Sequence, residues 1–226
     1  KDPSKANQKI KTAINKTAGK ILTWNKKPIN TVYHATNGGV MASVDEAWSI
    51  NQVPYLQMRL DGPKHWAGSV DLPLSNEKYL KSFLFSKSEA FGSDHPLFRW
   101  ERTIESSQIS KQLKKAQKVG SSFYPYKIEV LRRGSSGRVT SLKIEGRTGS
   151  EILLKLDDIR RVLRELPSTL FVVKEIKEGK WLFSGGGFGH GAGMSQSGAI
   201  ELAKKGWTTK QILSHYYPKT KYGFLP

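Results

Sequence analysis

Between positions 183 and 199 the chain reads FSGGGFGHGAGMSQSGA, with six glycines at 185, 186, 187, 189, 191 and 193 set around Phe188 and His190. Glycine loses more conformational freedom on folding than any other residue and offers no side chain to bury. Such a density therefore excludes a regular helix and demands unusual dihedrals or close approach of backbone to another group. A flexible linker would be Ser- and Gly-rich without an interleaved Phe, His and Met. The run reads instead as an ordered loop that presents His190, Ser195 and Gln196.

The 226 residues suffice for a substantial core. With 37% hydrophobic residues and a mean hydropathy of −0.49, the composition is that of a soluble globular protein. No apolar run approaches the ~18 residues of a membrane span. The absence of cysteine excludes disulfides, thiolate metal sites and cysteine nucleophiles. Lys and Arg number 37 against 19 Asp and Glu, a net charge of +18, which favours polyanions such as nucleic acid, anionic membranes or acidic wall polymers. The basic residues are scattered, as at Lys26, Lys114, Arg132, Arg160 and Lys204, rather than gathered in one arm. That distribution weakens the case for nucleic acid, and a basic nucleic-acid-binding protein is kept as the last alternative.

Along the chain, Ser4 to Ala18 reads as a helix stopped by Gly19. Residues 20–24 and 29–36 read as a hairpin around the turn NKKP. A short helix over 43–48 is expected to be capped by Ser43. Residues 60–75 look irregular, 76–85 helical, 98–104 extended, and 107–119 helical up to Gly120. From Tyr126 the pattern predicts a three-stranded meander through residue 156, then a helix from Asp157 to Leu166 with Asp157 as its cap. A last hairpin around Glu178 and Gly179 leads into the glycine run, followed by helices over 198–205 and 208–217. Strands and helices do not alternate regularly, so the expected fold class is α+β, antiparallel sheets with flanking helices. One domain over 1–226 is expected, with 107–166 as an inserted helix-plus-meander subregion.

Gly187, Gly189, Gly191 and Ala192 satisfy the dinucleotide fingerprint G-x-G-x-x-G/A, but no βαβ unit can follow in the ~33 residues left. A phosphate loop would need Gly-Lys-Ser/Thr, which is missing. His34 and His190, each beside glycines, could bracket a common cleft, yet two histidines without a third ligand make a weak metal site. No metal or other cofactor is expected. Ser195 near His190 suggests a hydrolase, but Gly-Met-Ser-Gln-Ser is not the nucleophile elbow G-x-S-x-G. Tyr216 and Tyr217, with Trp207 and Tyr222, form an aromatic cluster suited either to a carbohydrate cleft or to a core.

Taken together, these stretches resemble the family of stage II sporulation protein D and the amidase enhancer (SpoIID/LytB). The family's closing motif resembles F-x-G-x-G-x-G-H-G-x-G-M-S-Q-x-G-A, a helix, a glycine and I-L-x-x-Y-Y-P-G-T. Here it stands as Phe183 to Ala199, Gly206, Ile212, Leu213, Tyr216, Tyr217, Pro218 and Thr220, with Lys219 where the family usually has glycine. An upstream signature appears as Tyr33, His34, Thr36, Gly38, Gly39, Trp48, Pro54, Tyr55 and Leu56. The resemblance implies action on bacterial peptidoglycan outside the cytoplasm, by lytic transglycosylase cleavage of the glycan strand or by enhancement of a cell-wall amidase. It implies glycan strands as the substrate and a cell-wall amidase as a partner. The substrate-binding residues it points to are His34, Thr36, Gly38, Gly39, Gly189, His190, Gly191, Gly193, Ser195, Gln196, Tyr216 and Tyr217. The family's catalytic Glu lies in a motif resembling E-x-P-x-x-W-x-x-E-A-L-K-A-Q-A, expected upstream of residue 1. The catalytic residue is therefore unassigned in this chain.

Overall fold

The computed structural model describes residues 8–120 and 122–224. Helix α1 (Gln8–Thr17) ends at Gly19, whose φ of +70° supplies the left-handed stop; residues 4–7 of the expected helix lie outside the described residues. Strand β1 (Lys20–Trp24) turns through Asn25 and Lys26, both left-handed, into the two-residue β2 (Lys27–Pro28). The hairpin expected over 20–36 stops there. Residues 33–34 form β3 (Tyr33–His34), which leaves β1 and pairs in parallel with β12 (Met194–Ser195). The vacant edge of β1 is taken by β13 (Lys221–Phe224). The physical reason lies in the glycine run: a Cβ on Gly193 would fall 2.0 Å from the Val32 carbonyl oxygen, so only glycine admits this strand.

The next segment holds β4 (Val40–Met41), a 3-10 turn at Val44–Glu46, β5 (Arg59–Leu60), α2 (Lys64–Ala67) and α3 (Glu77–Phe85). The helix expected over 43–48 is only that single turn. Ser43 does not cap it with its side chain, because its hydroxyl accepts from the Met58 backbone N–H at 3.1 Å. Asn76, by contrast, accepts from the Lys78 N–H and caps α3.

Two antiparallel sheets carry the rest. Strand β6 (Arg99–Glu105) pairs with β11 (Lys180–Gly186), and β11 with β10 (Phe171–Lys177). The meander β7 (Pro125–Arg133), β8 (Val139–Gly146) and β9 (Glu151–Lys155) is as the alternation predicts. Helix α4 (Ser106–Lys115) contributes Ile109 and Leu113 to a core shared with Leu142, Ile144, Phe171, Trp181 and Phe183. Helix α5 (Asp158–Val162) is shorter than expected. Asp157 does not cap it either: its carboxylate is held by Arg160 at 2.6 Å and Arg161 at 3.0 Å. Helices α6 (Gln196–Lys204) and α7 (Thr209–Tyr216) pack over β1 through Leu202, Ile212, Tyr216 and Tyr217. The fold is α+β with several antiparallel sheets in one domain. No helix among the described residues is long and apolar enough to cross a membrane.

Candidate functional site

Past the end of β11 the chain alternates: Gly187, Gly189, Gly191 and Gly193 have φ of +85°, +113°, +82° and +74°, while Phe188, His190 and Ala192 lie between them. Side chains at those four positions would be strained in backbone and would also collide. A Cβ at Gly189 would meet His34 at 2.7 Å, and one at Gly191 would meet the Arg138 guanidinium at 2.2 Å. The loop is thus pressed along residues 32–42. Phe188 N donates to Thr36 O at 2.7 Å and Ala42 N donates to Gly191 O at 2.9 Å.

This seating brings the two histidines together, with ring centroids 5.2 Å apart and edge-on. His190 Nε2 donates to the Tyr33 carbonyl at 2.9 Å, and its Nδ1 accepts from Ala192 N–H at 3.2 Å. Those partners fix a neutral ring with the proton on Nε2. Burial, above the opposing effect of the Tyr33 carbonyl, lowers the His190 pKa to about 4. His34 is more deeply enclosed. Its Nδ1 donates to Ala192 O at 3.1 Å while Nε2 is buried with no hydrogen-bond partner. Burial first, then His190 and Arg138, hold its pKa well below the usual value. His34 Nε2 is therefore the one ring nitrogen of the pair with an unused lone pair.

Beneath Gly191 lies Arg138, 0% exposed. Its guanidinium donates to Asn37 O at 2.9 Å, Val40 O at 3.1 Å and Ser136 Oγ at 3.3 Å. Burial lowers its pKa to about 10, which leaves it cationic at neutral pH. The balancing carboxylate, Glu46, accepts from Ser135 Oγ at 2.9 Å, from Ser136 N at 3.1 Å and from Ser136 Oγ. A second buried acid, Asp61, accepts from Asn37 Nδ2 at 2.6 Å, His215 Nε2 at 2.7 Å and Tyr216 OH at 3.1 Å. Buried charges persist only when so paired.

Of the residues expected to contact a ligand, the structure gathers His34, Thr36, Gly38, Gly189, His190, Gly191 and Gly193 around this loop, while Gly39 faces Ala90, Phe83 and Phe98 instead. Gln196 is exposed at the start of α6, on a cleft of about 450 Å³ shared with Ala35, His95 and Glu201. Three expected contacts point inward instead. Ser195 is fully buried and accepts from Gly198 N at 3.3 Å as the cap of α6. Tyr216 is 1% exposed and bound to Asp61, and Tyr217 donates to Val32 O at 2.8 Å. These three support the site from behind, because their polar tips are spent on buried partners. Thr36 is buried too, bridged to Phe188 through backbone.

The rim has aromatics that sequence reasoning did not assign to the site. Trp48 packs on the His190 ring with centroids 4.6 Å apart. Phe188 and Tyr33 flank it at 44% and 60% exposure. Large exposed rings are poor candidates for core and good ones for an apolar sugar face. Trp48 belonged to the upstream signature and Phe188 to the glycine run, so a signal existed for both. Arg138 and Asp61 had none, since nothing local distinguishes a buried charge from a surface one.

A family profile described as a domain of unknown function (DUF8618) matches residues 42–193. The Amidase enhancer of Bacillus subtilis is 30% identical over 95% of this chain and 32% of its own length. Two proteins named Stage II sporulation protein D are similar at 30% identity: that of Bacillus amyloliquefaciens over 93% of this chain, that of Bacillus subtilis over 95%. The chain spans 49% and 51% of those two proteins' lengths.

Proposed function

The chain belongs to the SpoIID/LytB family and carries the DUF8618 domain, and from that premise we propose that it forms the glycan-holding wall of a peptidoglycan-processing site outside the cytoplasm. The observation that carries this reading is the seating of His190. A neutral imidazole on the glycine loop, packed against the tilted Trp48 ring and flanked by Phe188 and Tyr33, combines polar edges with apolar faces. Sugar rings have the matching pattern of hydroxyls and C–H faces. The basic surface favours retention on wall polymers, which carry carboxylates and often phosphates.

The reaction we assign to the complete site is lytic transglycosylase cleavage. A carboxylic acid gives its proton to the glycosidic oxygen as the C1–O bond breaks; as carboxylate it then takes the proton of the C6 hydroxyl, whose oxygen bonds to C1 and leaves a 1,6-anhydro end. No water is activated, so paired carboxylates are not required. The acid is not assigned to any residue of this chain. Three buried acids, Glu46, Asp61 and Asp157, are each committed to protein donors or arginines. That commitment also favours a second reading, a non-catalytic wall-binding module that positions an amidase.

The test is retention on purified peptidoglycan glycan strands. His190→Ala and Trp48→Ala should each weaken binding about tenfold or more while circular dichroism and the melting transition persist. Unchanged retention by both would remove this reading. Mass spectrometry of strands treated with the full-length protein and with this chain then separates the two activities: anhydro-muramic ends from the full-length protein support cleavage, and their absence supports the amidase-enhancing role.

A further inference from the structure

Just before α5 a single buried acid organises two arginines. Asp157, whose side chain is 6% exposed, accepts from Arg160 Nε at 2.6 Å, from Arg160 Nη2 at 2.9 Å and from Arg161 Nε at 3.0 Å. Ion pairs at this spacing stabilise a short helix only slightly, and burying the carboxylate works against even that gain. What the arrangement does fix is the orientation of two guanidinium planes. Arg160 Nη1 and both Nη groups of Arg161 keep their N–H donors, with no protein acceptor among the described residues. Two cations and one anion leave this group with a net positive charge. Arg161 presents it to solvent at 63% exposure, while the Asp157 oxygens stay behind the guanidiniums.

The group is fastened to the rim of the His190 site. Asp157 N donates to Ala47 O at 3.3 Å, and the next residue, Trp48, packs on His190 with ring centroids 4.6 Å apart. Further along the same segment, Pro167 O accepts from Gly189 N at 3.0 Å. Residues 157–167 are thus tied to the site at both ends, once at its aromatic rim and once on the glycine loop. The Arg160 charge reaches both histidines, where it adds to burial in holding their pKa down. A ligand resting against Trp48 and His190 therefore has a fixed, outward-facing pair of guanidiniums beside it.

We propose that Arg160 and Arg161, held in place by Asp157, read a carboxylate attached to the sugar at Trp48 and His190, and so set the register of the glycan strand. The proposal deepens the glycan reading and rests on it. The two sugars of a peptidoglycan strand alternate and differ in one substituent: the muramic residue bears a lactyl ether ending in a carboxyl group where its neighbour has a hydroxyl. Ring faces and acetamido groups are common to both, so apolar contact with Trp48 and the polar edge of His190 do not tell them apart. A guanidinium presents paired N–H donors that match the two oxygens of a carboxylate. Beside the aromatic rim, such a pair gives the muramic sugar a charge-assisted contact that the other sugar lacks. The strand then seats with the muramic sugar at Trp48, which decides which of the two alternating glycosidic bonds is offered for cleavage.

The probes are peptide-free glycan strands, the same strands with their lactyl carboxylates converted to methylamides, and chitotetraose, which has no lactyl group, each titrated calorimetrically into this chain. The free-carboxylate strands should bind about tenfold or more tighter than the methylamides, and added salt should erode that ratio. Arg161→Gln should bring the ratio close to one. Arg160→Lys should lower it as well, because an ammonium keeps the charge and loses the fork. Lys26→Gln, a charge removed from the β1–β2 turn, should leave it unchanged. Equal binding of free and methylamide strands overturns the proposal, as does an undiminished ratio in Arg161→Gln. Loss of affinity by the same factor for all three ligands in Arg161→Gln also overturns it, since that marks a purely structural ion pair. If all three ligands bind equally and His190→Ala weakens each of them, the glycan reading stands and the carboxylate contact falls. If none of the three binds, both fall together.

Discussion

Single atoms decide where the glycine loop can lie. At Gly191 the left-handed backbone and the Arg138 guanidinium act together: an added methyl carbon would sit 2.2 Å from Cζ, and Arg138 has no exposed side toward which to move. Gly191→Ala should therefore cost more than about 3 kcal/mol, the sum of backbone strain and the loss of hydrogen bonds to Asn37 and Val40. Gly206 is the control. Its φ of +85° is similar, but nothing lies within 4 Å of the same added atom. Gly206→Ala should cost only about 1 kcal/mol of backbone strain. Urea denaturation of the two variants checks the difference, and equal costs would mean that Arg138 does not buttress the loop. Glycine at 191 was legible from the density of the run, whereas the buried cation beneath it was not.

At the scale of elements, the same residue types at helix starts met different fates. Thr208 closes a capping box on α7, accepting from Gln211 N at 3.3 Å while Gln211 Oε1 accepts from Thr208 N at 2.8 Å. Ser43 and Asp157, equally good caps by type, were captured by Met58 and by Arg160 and Arg161. Local preference names a cap, and tertiary neighbours decide whether it is used. Because α7 delivers His215 and Tyr216 to Asp61, Thr208→Ala should cost about 1 kcal/mol. Hydrogen exchange should show the loss first in the amides of α7, and protection unchanged there would contradict the role of the box. The strand order of the meander and of the 171–186 hairpin, in contrast, was legible, since alternation and a turn suffice to define neighbouring strands, while the register shifts in β7 and β10 were not.

For the molecule as a whole, His34 and His190 link the fold to pH. Both are neutral when folded, with Arg138 and Arg160 opposing their protonation and, at His190, Asp157 favouring it. The unfolded chain binds those protons near the ordinary histidine value of 6.5, so between that pH and about 4 it holds more protons than the native state. Stability is fully present above 6.5 and falls with acid, by up to about 1.4 kcal/mol per pH unit for each histidine. Urea midpoints at pH 7.5 and 5 should differ accordingly, and His34→Asn, which keeps a donor for Ala192 O, should reduce the slope. An unchanged slope would place His34 outside the linkage. The sequence by itself determined that an ordered glycine loop lies within residues 183–199, that the chain is α+β, and which family it resembles, because glycine density, alternation and motif spacing are local properties; that the run opens in β11 and closes in α6 it did not tell. Only the tertiary structure decided that β3 joins β12, that His34 meets a carbonyl 158 residues away, and that Ser195, Tyr216 and Tyr217 face inward. Periodicity tells which face of an element is apolar; which distant face it meets is settled by packing and by the need of every buried polar group for a partner.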